Sequence, residues 1–182
     1  MAQIIDGYCD FENIYADDIG EYNIAVFGSG DYVFPVGERL ECEIINNNEI
    51  VIKDGVFITQ GRRGVIKKGT VEKCEIENGN QGVNRNDLIV MEYGKDLGTL
   101  CESHSLKVIK GTAGAESTDP EITTGNIPAG DAKHQMQLYR VRIEGINIVA
   151  VERLFEYRNP IPLLEFDKTT GTLDITLYPG GE

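Results

Sequence analysis

Tryptophan is absent from this 182-residue chain, and histidine occurs only at His104 and His134. That scarcity narrows the available chemistry. A nucleophile–base pair needs a hydroxyl or thiol within hydrogen-bond reach of its base, and the pattern gives neither histidine such a partner. His104 falls at an outward position of a strand-like run, and His134 in a long connection. Cys101 and His104 are close in sequence but would point to opposite faces of a strand. No catalytic residue is assigned.

Cysteine is equally sparse in pattern. Cys9, Cys42, Cys74 and Cys101 form no CxxC and no paired-histidine spacing, which excludes the ligand pairs of a zinc site. Cys42 and Cys74 lie among apolar neighbours, where a free thiol packs as a small hydrophobe. No apolar run approaches the ~20 residues a membrane helix requires. The opening MAQIIDGYCD lacks the basic and apolar segments of a secretory signal, so synthesis in a reducing cytoplasm is expected. Positive charge is also short, with 17 Lys and Arg against 30 Asp and Glu, a net −13. That balance argues against nucleic acid, whose binding depends on basic residues displacing counterions, and against an anionic membrane surface.

The acidic groups Asp6/Asp10/Glu12 and Asp17-Asp18 lack the ordered D-x-[DN]-x-[DN]-G loop of a calcium site. Gly28-Ser29-Gly30 and the glycines at 79 and 82 do not join a strand to a helix, so they do not read as phosphate loops. No metal or cofactor is expected. The concentrated basic patch is Arg62, Arg63, Lys67 and Lys68. It is the candidate binding site, for phosphate or the acidic surface of a partner, set against a plain solvated hairpin tip.

Glycine is plentiful, at 21 residues, and the segment 60–90 is built around it. Gly61, Gly64, Gly69, Gly79 and Gly82 are expected at chain reversals, where positive φ is needed. Between them Val71, Cys74, Ile76 and residues 88–91 keep strand spacing. Upstream, residues 16–30 read as a short helix capped by Asp17 or Asp18, with Ile19, Tyr22 and Val26 as its apolar face and Gly28 as its stop. Leu40, Cys42 and Ile44 then alternate as a half-buried strand. Residues 49–60 read as a hairpin across Asp54-Gly55, with Ile52 opposite Phe57 and Val51 opposite Ile58. Both its faces are apolar, which places it inside a sandwich or barrel.

Residues 100–110 form another strand, with Leu106 and Val108 on one face. The connection 111–136 is long, a sign of function or motion, with room for a short helix near residues 129–135. Residues 137–151 form a clean hairpin, with Tyr139, Val141 and Ile143 inward, Arg140 and Arg142 outward, and the turn at Glu144-Gly145 leading to Ile146 and Ile148. After two prolines, a last hairpin pairs residues 163–167 with 172–177. The fold expected is mainly β: an antiparallel sandwich or partly open barrel with one short N-terminal helix. Residues 1–155 form the domain and 156–182 a C-terminal hairpin arm.

Four stretches carry a likeness to a known family: DYVFPVGERLECEIINNNEIVIKDG (31–55), QGRRGVIKKGTVEKCEIENGNQGVNRNDLIVMEY (60–93), SLKVIKGT (105–112) and DPEITTGNIPAGDAKHQMQLYRVRIEGINIVAVERLF (119–155). In these the chain resembles tail-associated structural proteins of phages and prophages of gut Firmicutes, from the tail tip, baseplate or fibre region. The resemblance implies a non-enzymatic virion component, made in the bacterial cytoplasm, that assembles as a homo-oligomer with other tail proteins. It transfers no catalytic residues. With no fibrous repeat after Phe155, a connector or tail accessory is favoured over an adhesin. The alternative is a carbohydrate-binding module that attaches the particle to a host cell-wall glycan through exposed tyrosines such as Tyr8, Tyr15 and Tyr157. A cell-wall enzyme would need clustered carboxylates or a metal pocket.

Overall fold

A computed structural model describes residues 15–158, 163–167, 169–170 and 172–176. Helix α1 (Ala16–Phe27) precedes β1 (Asp31–Phe34), β2 (Cys42–Asn46), β3 (Glu49–Ile52), β4 (Gly55–Thr59) and β5 (Arg62–Ile66). Then come β6 (Glu72–Glu75), β7 (Asn84–Lys95) and β8 (Glu102–Ile109). A 3-10 turn at Ile127–Ala129 leads into β9 (Lys133–Glu144), β10 (Asn147–Arg153) and β11 (Glu156–Tyr157). The hairpin strands β12 (Leu163–Asp167) and β13 (Thr172–Thr176) follow.

The fold is mainly β, with one short N-terminal helix and a C-terminal hairpin, as expected. Its first sheet runs β11-β1-β4-β5, its second β10-β9-β7-β8 and its third β2-β3-β6, while β12 and β13 form a two-stranded sheet. None closes into a barrel. Pairing is antiparallel except between β1 and β11. Residues from all three of the larger sheets turn to a common interior. Val33, Phe57 and Ile66 come from the first sheet, Ile89, Met91, Leu138, Val141 and Ile143 from the second, and Ile50, Ile52 and Cys74 from the third; together they form one cluster. Burial pushes the Cys74 thiol up to about 12, the behaviour of a packed hydrophobe.

Strand β7 is central, and residues 88–91 are buried on both faces, which is why they read as an unbroken apolar run. At its start lies a buried ion pair. Arg85 donates from Nε to Asp87 Oδ1 at 2.8 Å and from Nη2 to Oδ2 at 2.9 Å, and reaches the Glu77 carbonyl at 2.6 Å. The backbone N–H of Gly111 donates to the same Asp87 carboxylate at 2.9 Å. One pair thus fixes the loops on both sides of β7 and β8.

Several expectations need correction. Asp54-Gly55 is not a hairpin turn. Strand β3 pairs with β2 and β6, while β4 pairs with β1 and β5, so the chain changes sheet there. The Asp54 carboxylate instead accepts from the backbone of Glu38 and of Gly69, each at 2.9 Å, and Gly55 packs against the Leu40 backbone, where a Cβ would not fit. The hairpin turn lies one strand later, at Gln60-Gly61, with φ of 44° and 91°, a primed turn between paired Thr59 and Arg62.

Of the glycines expected at reversals, Gly61, Gly69 and Gly82 do have positive φ. Gly64 lies within β5, where the Phe57 ring occupies the space of a Cβ, and Gly79 packs on the Gly145 carbonyl. No helix forms near residues 129–135; the 3-10 turn ends and β9 begins. Ile44, expected on the dry side of a half-buried strand, is exposed, while Tyr139, Val141 and Ile143 are buried as expected. The long connection 111–132 is fastened to the second sheet: Asp119 accepts from Asn86 at 2.8 Å and from Arg140 Nε at 2.7 Å. Residues 156–157, expected to begin the arm, pair with β1 in the first sheet.

Candidate docking surface

The inner face of the first sheet meets the core; its outer face is the candidate site. Register places Tyr32 beside Ile58, Phe34 beside Val56, Ile58 beside Arg63 and Val56 beside Val65. These six residues share a face because side chains alternate along each strand. The face is apolar except for Arg63. The both-sided apolar run of β4, read as the inside of a sandwich, has this second cause: Phe57 packs in the core cluster, while Val56 and Ile58 lie on the opposite face, Val56 half-buried and Ile58 fully buried.

Helix α1 covers only one margin. Its N-terminus is set by Asp18, whose carboxylate accepts the Tyr15 N–H at 2.7 Å, and it stops at Gly28 with φ of 94°. The helix turns Gly20 to the body, because a Cβ there would strike the Arg62 guanidinium and one on Gly61 would lie 2.6 Å from the Gly20 carbonyl. Asn23 donates to the Gly61 carbonyl at 2.8 Å, and Phe27 meets Phe34 edge-on at 4.9 Å. This close approach at Gly20 rotates the expected inner face outward: Ile19 is 53% and Tyr22 69% exposed. Between helix and sheet runs an open groove of about 980 Å³, lined by Ile19, Tyr22, Phe27, Phe34, Val36 and Val56 among others. Arg63 and Arg158 stand at it, with Arg158 stacked over Tyr32 at 5.0 Å. Among the described residues neither forms an ion pair.

The four basic residues singled out in the sequence are not one patch. Arg62 faces inward and ties α1 to the body, donating to Ala16 O at 3.0 Å, to Glu102 at 2.8 Å and to Asp17. Burial opposes its charge, and the bonds to Glu102 and Asp17 outweigh that and raise its pKa. Arg63 lies on the opposite face, in the groove. Lys67 and Lys68 are exposed beyond the end of β5. Arg158, Val36 and Val65 were missed; the available signal was the apolar character of both sides of β4.

A second, smaller cleft of about 180 Å³ is lined by Asp17, Glu21, Gln60, Arg62, Tyr93, Lys95 and Asp131 among others. Within it Arg62 is paired with Asp17. Burial and the neighbouring Glu102 push the Tyr93 phenol up to about 12, and Lys95 lies 3.8 Å from Glu102. Both histidines prove to be partnered. His134 is buried at the start of β9, not in a loop, with Nε2 2.7 Å from Asp31 Oδ2. Its Nδ1 takes the Gln60 amide N–H at 3.3 Å, so Nε2 carries the proton that Asp31 accepts and no nitrogen is left for a nucleophile. His104 is half-buried, not outward, lying 2.8 Å from Thr59 Oγ1 and edge-on to Phe57 and Tyr93; burial lowers its pKa.

Among the described residues no cluster of His, Cys, Asp and Glu is arranged to hold a metal ion, and no helix is long and apolar enough to cross a membrane. The acidic group at residues 6–12, Tyr8 and Cys9 lie outside the described residues. No protein-family model matches the chain, and no curated protein matches it.

Proposed function

We propose that this protein is a non-enzymatic assembly component of a phage or prophage tail or baseplate, acting by docking on copies of itself and on neighbouring tail proteins. The observation that carries the docking half is the outer face of the first sheet. It presents the half-buried Tyr32, Phe34 and Val56 and the exposed Val65 around the buried Ile58, behind a helix that covers one margin and itself exposes Ile19 and Tyr22. A contiguous apolar surface of this kind marks an interaction site. The virion setting comes from the sequence resemblance alone.

Light scattering and sedimentation velocity on the purified full chain test self-assembly. A concentration-dependent oligomer is expected, and a strict monomer across the accessible range refutes it. Mass spectrometry of tail particles from an induced host tests the setting; particles free of the chain refute it. A second reading, a module binding cell-wall glycan, is favoured by exposed Tyr22 beside the Phe27–Phe34 ring pair. It requires glycan-array binding that Tyr22→Ala abolishes.

A further inference from the structure

Register sorts the face behind the groove into two rows: Tyr32, Ile58 and Arg63 in one, Phe34, Val56 and Val65 in the other. Arg158 stacks on the Tyr32 ring, so a guanidinium stands at each end of the first row. Strands β1 and β5 are two strand spacings apart, about 10 Å. Both guanidinium side chains belong to exposed residues. Acidic residues outnumber basic ones 30 to 17 in the chain, yet among the described residues no carboxylate lines the groove. It is an apolar, positively charged recess. Its concave form does not suit a flat bilayer, and the net charge of −13 disfavours anionic membranes and nucleic acid as occupants.

Strand β2 carries the opposite surface. It is an outer strand of the third sheet, and an exposed edge is a template for contact with another chain. Its pairing with β3 shifts register between Ile44 and Asn46. Such a bulge re-aims side chains, and here the neighbouring Ile44 and Ile45 are 47% and 51% exposed. Glu41 and Glu43, two residues apart, share a face and lead into the isoleucines; both are exposed. Glu43 has Lys53 3.4 Å away, a surface pair of small value. Other exposed apolar tips lack this charge. Leu97 and Leu100 flank a turn whose Asp96 carboxylate is occupied by the N–H groups of Gly98 and Thr99, and Val71 follows Lys67 and Lys68.

We propose that the groove of one copy receives the β2 edge of a second copy, with Ile44 and Ile45 against Phe27, Phe34 and Val56, and Glu41 and Glu43 against Arg63 and Arg158. This rests on the assembly reading and names its contact. Carboxylates two residues apart on a strand are separated by about 7 Å, and the long arginine side chains cover the difference. Guanidinium–carboxylate pairs add direction and register to the apolar contact. The two surfaces differ, so the contact repeats head to tail until it closes, by reciprocation in a dimer or by rotation in a ring.

Charge exchange on the full chain tests it, with sedimentation velocity as the measurement. Arg63→Glu with Arg158→Glu, and separately Glu41→Arg with Glu43→Arg, should each weaken self-association about tenfold or more, because like charges then face each other. Mixing the two variants should restore it, since each surface then meets one of opposite sign. Both variants remain acidic overall, so net charge cannot be the cause. Ile45→Asp should weaken association by a similar factor, and far-UV circular dichroism should be unchanged in every variant. An oligomer indifferent to either charge reversal overturns the inference and leaves self-assembly standing. So does a mixture of folded variants that stays dissociated. A wild-type chain that remains a monomer overturns both.

Discussion

Replacing Asp87 with alanine tests whether β7 is anchored by its buried pair. Arg85 and Asp87 are only 3% and 1% exposed, so the guanidinium left behind cannot regain water without opening the strand. The carboxylate accepts both Arg85 bonds and the Gly111 N–H; alanine offers none of the three. Breaking a buried pair from one side costs about 3–5 kcal/mol. In a chain of this size each kcal/mol is worth about 2–4 °C of melting temperature, so a fall on the order of 10 °C is expected. A far-UV circular dichroism melt with a matching urea titration measures it. The double replacement Arg85→Met with Asp87→Leu removes the stranded charge and leaves only unpaired backbone groups, each worth about 1–3 kcal/mol. It should therefore melt between wild type and Asp87→Ala. An Asp87→Ala protein melting within about 3 °C of wild type refutes the reasoning, since that corresponds to roughly 1 kcal/mol.

Gly64→Ala should destabilise by about 1–3 kcal/mol through overpacking, because the Phe57 ring fills the space of the new methyl. Adding Phe57→Leu should recover part of that loss, and simple additivity in urea titrations would disprove the clash. The hydrogen bond from Arg140 holds the Asp119 carboxyl below its ordinary value of 3.8. A depressed carboxylate stabilises fully above its unfolded pKa, and that contribution is lost as pH falls through the lower folded value. The connection 111–132 should thus stay fastened at neutral pH and loosen only below about pH 4. A carboxyl-carbon NMR titration of Asp119 with a midpoint at or above 3.8 would contradict this.

The strands were legible wherever one face is wet and one dry. Tyr139, Val141 and Ile143 alternate with Arg140 and Arg142, and β9 follows that pattern; the last hairpin was placed almost to the residue. What the pattern hid was decided by contacts distant in sequence. Asp54-Gly55 has the composition of a turn, but Asp54 is occupied by the backbone of Glu38 and Gly69, and the chain passes between sheets. Helix α1 kept its length and lost its expected face, because Gly20 lets it approach Gly61 more closely than any side chain would permit. A periodicity count scores that glycine as a weakness and cannot register a close approach. Arg62 looked like its basic neighbours until the fold brought Asp17 and Glu102 to it. The docking face was half legible: the double-sided apolar run of β4 announced two apolar sides, and only the sheet order shows that one of them lies away from the common core.

The Gln60-Gly61 turn carries a further consequence. Its Gln60 amide donates to Gly125 O and accepts from Ile127 N, each at 2.8 Å, while the Gly61 carbonyl receives Asn23. A hairpin tip is ordinarily the safest address for an inserted epitope or a new pair of chain ends. Here it is the junction of the helix, the long connection and β9, and one added residue would uncouple all three. The hospitable addresses are the left-handed tips at Gly82 and Gly130, where even an added Cβ would meet nothing within 4 Å.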